Sequence, residues 1–137
     1  MKYIVLPFVV WIIAGSSKFV INYLRYGKKA KKLIGYGGFP STHTTILSSV
    51  VVFSGLSEGF TSPLFSLGMG SLLIVVIDAH GLRQKVGQQA KIINELQRKV
   101  FGNDVELLRE KMGHTWIEIF GGLLYGSLLA WIFYMFR

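Results

Sequence analysis

Residues 116–136 read WIEIFGGLLYGSLLAWIFYMF, an apolar run in which Glu118 is the only charged residue. A helix that crosses a membrane needs about 20 predominantly apolar residues, because each residue advances the helix by ~1.5 Å through a hydrocarbon core about 30 Å thick. This stretch meets that length. It therefore predicts a transmembrane helix, and the rest of the chain is interpreted around it.

Three further apolar runs precede it. Residues 3–24 are long enough to cross a membrane, whereas residues 44–56 and 63–77 need flanking polar residues to complete a crossing. The tight link at residues 57–62 indicates that the two shorter runs form an antiparallel helical pair. We therefore predict an all-α fold, a polytopic transmembrane helical bundle of about four spans, as a single integral-membrane domain over residues 1–137.

Two polar segments, residues 25–43 and 78–114, separate the apolar runs. Within the second, residues 84–100 have the spacing of an amphipathic helix, whose apolar face comprises Ile92, Ile93, Leu96 and Val100. Gly102 and Asn103 end this helix. Asp104 is then placed to cap a short helix that runs to Met112.

The charge pattern favours a membrane protein over a nucleic-acid-binding one. The net charge is +8, but 51% of the residues are hydrophobic and only 16% are charged, against about 25% in typical soluble domains. The basic residues lie between apolar runs, which by the positive-inside rule places both polar segments in the cytoplasm of a multi-pass cell-membrane protein. The expected partners are therefore membrane lipids, and no nucleic-acid partner is expected. The absence of cysteine excludes disulfides and thiolate chemistry.

His43 ends the sequence Pro40-Ser41-Thr42-His43, directly where an apolar helix is predicted to begin. The N-terminus of a helix presents free N–H groups and a partial positive charge, which together suit a phosphate. The alternative interpretation is a capped helix start, in which Ser41 or Thr42 is the N-cap.

His114 and Glu118 are four residues apart and share one face of a helix, so the carboxylate could hold the imidazole. Lys18 and Arg25, two helical turns apart, could grip a phosphate from one face. Taken alone, His114 and Glu118 could also be polar residues at the membrane interface. Lys18 and Arg25 could be cations that extend to the membrane surface. Arg83 either pairs with the nearby Asp78 or reaches the phosphate.

These residues converge on one membrane boundary, where they would supply a nucleophile, an acid and cations for phosphoryl transfer. Their motifs resemble the type 2 phosphatidic acid phosphatase and vanadium haloperoxidase superfamily, and most closely its small divergent bacterial branch. Lys18 and Arg25 match a Lys-x6-Arg-Pro element, except that Tyr26 replaces the proline.

The other two elements also match in part. Residues 40–43 match Pro-Ser-Gly-His, with Thr42 in place of glycine, and His114 and Glu118 match the end of Ser-Arg-x5-His-x3-Asp. Leu108 stands where that element has its arginine, so either Arg83 or Arg109 would supply the third cation.

The resemblance implies a metal-independent phosphoric monoester hydrolase without a cofactor, acting on a lipid phosphate monoester or pyrophosphate. Phosphatidylglycerophosphate, phosphatidic acid and an isoprenyl pyrophosphate are the candidate substrates. His114 would attack phosphorus to form a phosphohistidine, Glu118 would orient it, and His43 would protonate the leaving alcohol. The phosphate would be bound by cations and by groups at the helix start: Lys18, Arg25, Ser41, Thr42 and Arg83.

Three alternatives remain at this stage: a catalytically degenerate membrane scaffold of the same fold, a metal site built from His43, His114 and Glu118, and a haloperoxidase. Dimerisation is a further expectation, since a bundle this thin has polar residues to cover. His80 is interpreted as structural.

Overall fold

The computed structural model describes residues 2–28 and 38–136, and this part of the chain is helical without strands. Its helices are α1 (Lys2–Tyr26), α2 (Thr42–Glu58), α3 (Pro63–His80), α4 (Leu82–Phe101) and α5 (Trp116–Met135). The predicted all-α membrane bundle is confirmed. Lys29, Lys31, Lys32 and the first glycines of the turn that follows lie outside the described residues.

Three helical stretches are long and apolar enough to cross a membrane: α1, α3 with its continuation into α4, and α5. The remaining predicted span, α2, has 17 residues and is about 25 Å long, slightly less than the hydrocarbon thickness. It nevertheless packs against α1, α3 and α5 and forms the centre of the bundle. Large apolar side chains of the outer helices, such as Leu67 and Leu124, are exposed as lipid contact requires.

The buried face of α2 is lined by small hydroxyl side chains rather than by large apolar ones. Buried Thr45, Ser48, Ser49 and Ser54 each donate a hydrogen bond to a backbone carbonyl three or four residues earlier, at 2.6–3.2 Å. Such bonds satisfy the hydroxyls locally. The helix can therefore bury a polar face in an apolar bundle and keep a narrow profile.

That narrow profile lets α5 approach α2 at two glycines one turn apart. A Cβ added to Gly122 would lie 2.8 Å from the Ser41 carbonyl oxygen, and one added to Gly126 would overlap Ser48 Oγ and the Thr45 carbonyl oxygen. Small residues spaced four apart allow such close contact between membrane helices, where van der Waals packing drives association. Gly122 and Gly126 thus set the distance between α2 and α5.

The two ends of the bundle differ in character. At one end, Leu6, Val10, Phe53 and Ala130 form an apolar cluster. Nearby, the Tyr3 hydroxyl donates to Glu58 Oε1 at 2.6 Å, which joins the start of α1 to the end of α2. The opposite end holds the start of α2, the start of α5 and the junction of α3 with α4, and all three histidines lie there.

Residues 102–115 return along α4 in a non-helical conformation, so the predicted helix from Asp104 to Met112 is wrong. The reason is a long-range contact that local sequence does not reveal. The Asn94 side chain accepts from the Leu108 N–H at 2.7 Å and donates to the Leu108 carbonyl at 2.8 Å. Both backbone groups of Leu108 are thereby engaged by α4. The Glu110 carbonyl oxygen lies so close to Gly87 of α4 that a side chain at position 87 would overlap it.

We expect Gly126→Ala to destabilise the bundle, because the added methyl has to displace Ser48 and the α2 backbone. Overpacking of this kind costs about 1–3 kcal/mol. Gly70→Ala is the matched control on α3, since its Cβ meets nothing within 4 Å and alanine is otherwise the better helix former. Thermal denaturation of both variants in detergent measures the difference, and equal melting temperatures would contradict the packing argument.

Candidate functional site

The backbone of His114 is fixed by the junction between α3 and α4. Its N–H donates to the Ala79 carbonyl at 3.0 Å, and its carbonyl accepts from Gln84 Nε2 at 3.0 Å. The adjoining Gly113 has φ +81°, and a Cβ there would lie 2.7 Å from Gln84 Cγ. A residue other than glycine would therefore force the chain away from the junction. His114 is held on both sides by groups far from it in sequence.

The imidazole of His114 is buried and unpaired. The residue is 8% exposed, and neither Nδ1 nor Nε2 has a hydrogen-bond partner among the residues that the structure describes. Buried polar groups are almost always paired, because an unpaired one costs about 1–3 kcal/mol. An exception of this kind points to a group whose nitrogen is reserved for chemistry or for a ligand.

Its surroundings favour the neutral form of this imidazole. Burial lowers the pKa of His114 below its ordinary value; Glu118 raises it, and Lys18, His43 and Arg83 each lower it further. A neutral imidazole retains the lone pair that a nucleophile needs. The same electrostatic neighbours show that Lys18, His43, Arg83 and Glu118, four residues singled out from the sequence, gather around His114.

Glu118 has a different partner from the one expected. Its Oε2 accepts from the Thr115 N–H at 2.9 Å, while its own N–H donates to Thr115 Oγ1 at 3.3 Å. This reciprocal pair is a capping box at the start of α5. No hydrogen bond joins Glu118 to His114 in the described part of the chain, so the carboxylate acts on the imidazole through its charge.

His43 lies in the first turn of α2 and is exposed. Ser41 occupies the N-cap position, which was one of the two interpretations of the sequence. Its hydroxyl does not cap a backbone N–H, however, but pairs with Thr44 Oγ1 at 2.9 Å. The Ser41 N–H donates to the Glu118 carbonyl at 3.0 Å. Ser41 therefore has a structural role at this helix start, and phosphate binding by Ser41 and Thr42 stays a prediction.

Lys18 reaches the loop that leads to α2. A Cβ on Gly38 would lie 3.5 Å from Lys18 Cε, and the lysine ammonium interacts electrostatically with Glu118 and Arg109. Arg25 lies two turns further along α1, in its last turn, and is exposed. No contact among the described residues brings Arg25 to the histidines. Lys18 thus belongs to the cluster of ionisable residues around His114, whereas no described contact joins Arg25 to it.

Arg83 and Arg109 have different partners near the cluster. Arg83 Nε donates to Asp78 Oδ2 at 2.6 Å, and the guanidinium acts electrostatically on both His43 and His114. Arg109 acts on Lys18 and donates to the Lys111 carbonyl at 3.2 Å. The two possibilities raised for Arg83 are therefore compatible, since it pairs with Asp78 and still faces the histidines.

The metal-site alternative finds no support in the geometry. Over residues 2–28 and 38–136, no three side chains among the histidines and carboxylates form a group that could hold a metal ion.

Two residues that position the site were not identified from the sequence. Gln84 binds the His114 carbonyl, and Trp116 stacks on the His80 ring with centroids 4.3 Å apart. His80 Nδ1 itself lies 3.4 Å from the His114 carbonyl oxygen, so the structural role assumed for His80 is exercised next to the candidate nucleophile. No local spacing signals these contacts, because they join α3 and α4 to residues 30 or more positions away.

Comparison with known proteins identifies the family of this chain. The uncharacterized membrane protein YuiD of Bacillus subtilis (strain 168) is 33% identical over 108 residues, which cover 69% of this chain and 68% of that protein. No solved structure matches the chain. A family model described as the divergent PAP2 family matches residues 1–129. The chain is therefore a membrane protein that belongs to the divergent PAP2 family, as its motifs indicated.

Proposed function

We propose that this protein is a metal-independent lipid phosphatase that uses His114 as its nucleophile. The observation that carries the proposal is the buried imidazole, whose two nitrogens lack partners among the described residues although cationic groups surround it. A structural histidine in the same place would be expected to use at least one nitrogen in a hydrogen bond. Family membership supports the same reaction class.

In the first step a ring nitrogen of His114 attacks phosphorus, and the bond from phosphorus to the lipid oxygen breaks. His43 donates a proton to that oxygen, so the lipid leaves as an alcohol and a phosphohistidine remains. In the second step His43 takes a proton from water, which attacks phosphorus and releases inorganic phosphate from His114. The exposure of His43 at the helix start suits both exchanges with the leaving group and with water.

Charge neutralisation would come from Lys18 and Arg83, together with the N–H groups at the start of α2. These groups surround the histidines electrostatically, and they would offset the charge on the phosphoryl oxygens as the transition state forms. Arg25 would join them only if the side chain turned back along α1. Arg109, on the side of Lys18, is a further cation for a second phosphate.

A lipid is favoured as substrate because the site lies where apolar helices end. Trp116, beside His80, is the first residue of a 20-residue helix that is membrane-spanning in length and composition. A phosphate carried on a lipid headgroup lies at this depth, whereas a soluble phosphate ester has to diffuse there. We place this end on the cytoplasmic side of the cell membrane from the excess of cations in its two polar segments. Phosphatidylglycerophosphate and phosphatidic acid fit that side, and an isoprenyl pyrophosphate is the third candidate.

A catalytically inactive scaffold is the second candidate function. Its supporting observation is that the Glu118 carboxylate caps α5 and does not bind His114, so the hydrogen bond that would orient the imidazole is replaced. In that case the cluster would bind lipid phosphates and leave them intact.

We expect His114→Ala to abolish phosphate release from a panel of lipid phosphates in EDTA, by about 10³-fold or more, because no other group replaces the nucleophile. Lys99→Ala, on an exposed face of α4, is the control that keeps full activity. The wild type should also trap an acid-labile phosphoenzyme from radiolabelled substrate. Phosphate bound but never released by the wild type would favour the scaffold, and equal release by His114→Ala would exclude this nucleophile.

We expect Gln84→Met to lower kcat roughly tenfold to a hundredfold while KM changes little, because the His114 carbonyl loses a donor and the imidazole shifts. Methionine keeps the length and removes the N–H. Thermal stability in detergent is measured alongside, since a purely structural role would lower the melting temperature and leave kcat per folded molecule unchanged.

Glu118→Gln separates the two roles of this carboxylate. Glutamine can still accept from the Thr115 N–H, so the capping box is kept, but the charge that raises the pKa of His114 is removed. Protonated imidazole is inactive, so activity falls as the pH drops through the pKa of His114. We expect the acid limb of the kcat/KM profile to move to lower pH in Glu118→Gln. An acid limb at the wild-type position would show that the carboxylate does not influence the imidazole.

A further inference from the structure

Helix α4 carries an apolar stripe that the rest of the described chain does not cover. Its five members are 40–69% exposed and recur at helical spacing: Leu82, Val86, Ile93, Leu96 and Val100. Over the 20 residues of the helix, about 30 Å, they form one continuous face. The sequence had indicated an apolar face here, and the structure leaves it without a partner in the bundle.

A different side of the helix, between the stripe and the face that carries Lys91, is already occupied. Gly87, Ala90 and Asn94 are buried, and Asn94 binds the backbone of the returning segment at Leu108. The returning segment therefore packs on the small-residue side. The exposed stripe cannot be explained as the face that holds this segment.

Helix α4 carries many more positive than negative charges. Five cationic residues, Arg83, Lys85, Lys91, Arg98 and Lys99, accompany the single carboxylate Glu95. A helix with a continuous apolar face and a basic polar face is typical of one that lies in the plane of a membrane interface. Each basic residue near an anionic membrane surface adds electrostatic attraction to that surface.

Continuity with the membrane-spanning part places α4 at that surface. It begins one residue after α3, and Gly81 between them has φ −87° and ψ −82°, outside α-helical values. The regular geometry of the spanning helix is therefore interrupted at Gly81, and α4 follows directly after it. Tethered in this way, α4 meets the interface without the loss of translational freedom that a free peptide would incur.

We propose that α4 is an interfacial helix, with its apolar stripe inserted at the boundary between headgroups and acyl chains of an anionic lipid surface. A second copy of the chain is the competing occupant. It is disfavoured because pairing two such helices through their stripes would bring two strongly basic surfaces together without compensating carboxylates. The proposal does not depend on phosphatase activity.

The absence of cysteine from the chain makes a direct test possible. Ile93→Cys places a single environment-sensitive fluorophore on the stripe, and Lys91→Cys places the same label on the opposite face of the helix. Leu124→Cys, on an exposed lipid-facing position of α5, is the positive control. Each full-length variant is reconstituted in vesicles of phosphatidylglycerol and phosphatidylcholine, and in phosphatidylcholine alone, with lipids that carry a quencher near the headgroup.

We expect the Ile93 label to shift to shorter emission wavelengths and to lose most of its fluorescence to the quencher lipid, while the Lys91 label stays water-like. The loss of Ile93-label fluorescence should be greater in vesicles that contain phosphatidylglycerol than in phosphatidylcholine alone. The double substitution Lys85→Glu with Lys99→Glu should remove this difference between the two kinds of vesicle. A water-like, unquenched Ile93 label would overturn the proposal. If the labelled variant is not quenched and the unlabelled Ile93→Cys variant forms disulfide-linked dimers, the stripe would instead contact a second copy of the chain.

Discussion

The candidate site depends on one backbone hydrogen bond, from the Ser41 N–H to the Glu118 carbonyl. It joins the residue before α2 to the first turn of α5 and so brings His43 and His114 to the same end of the bundle. Such a bond requires the two backbones to be very close. Gly122 and Gly126 make that approach possible, because any side chain there would meet Ser41, Thr45 or Ser48. The packing of two membrane helices thereby becomes a constraint on the spacing of two histidines.

The second constraint is the junction of α3 and α4. Its carbonyl at Ala79 and its side chain at Gln84 bind the two sides of the His114 backbone, and Asp78 holds Arg83 toward the histidines. Ten residues beyond Gln84 on α4, Asn94 binds the backbone of the returning segment at Leu108. The residues on either side of Gly81 thus hold both His114 and the segment that leads to it.

Much of this arrangement could be predicted from the sequence, for identifiable reasons. The helices were predicted because apolar length is a strong signal in membrane proteins, and the convergence of His43 and His114 was predicted because alternating spans place both polar segments at one end. The contacts of Ser41 and Asn94 were not predicted, since each joins positions far apart in sequence. The helix expected after Asp104 failed for the same reason: a local cap signal was outweighed by the bonds from Asn94 to Leu108.

The glutamate that stands in place of the superfamily's aspartate is explained by these contacts. At the third position of a helix, a glutamate is long enough to reach back to the N-cap N–H, and Glu118 does so at Thr115. The carboxylate is then committed to ordering the first turn of α5, so the imidazole needs another means of orientation. Ala79 and Gln84 provide it through the backbone of His114, while the charge of Glu118 still acts across space. Under the proposed function, the orientation and the electrostatic support of His114 would be divided between two parts of the fold.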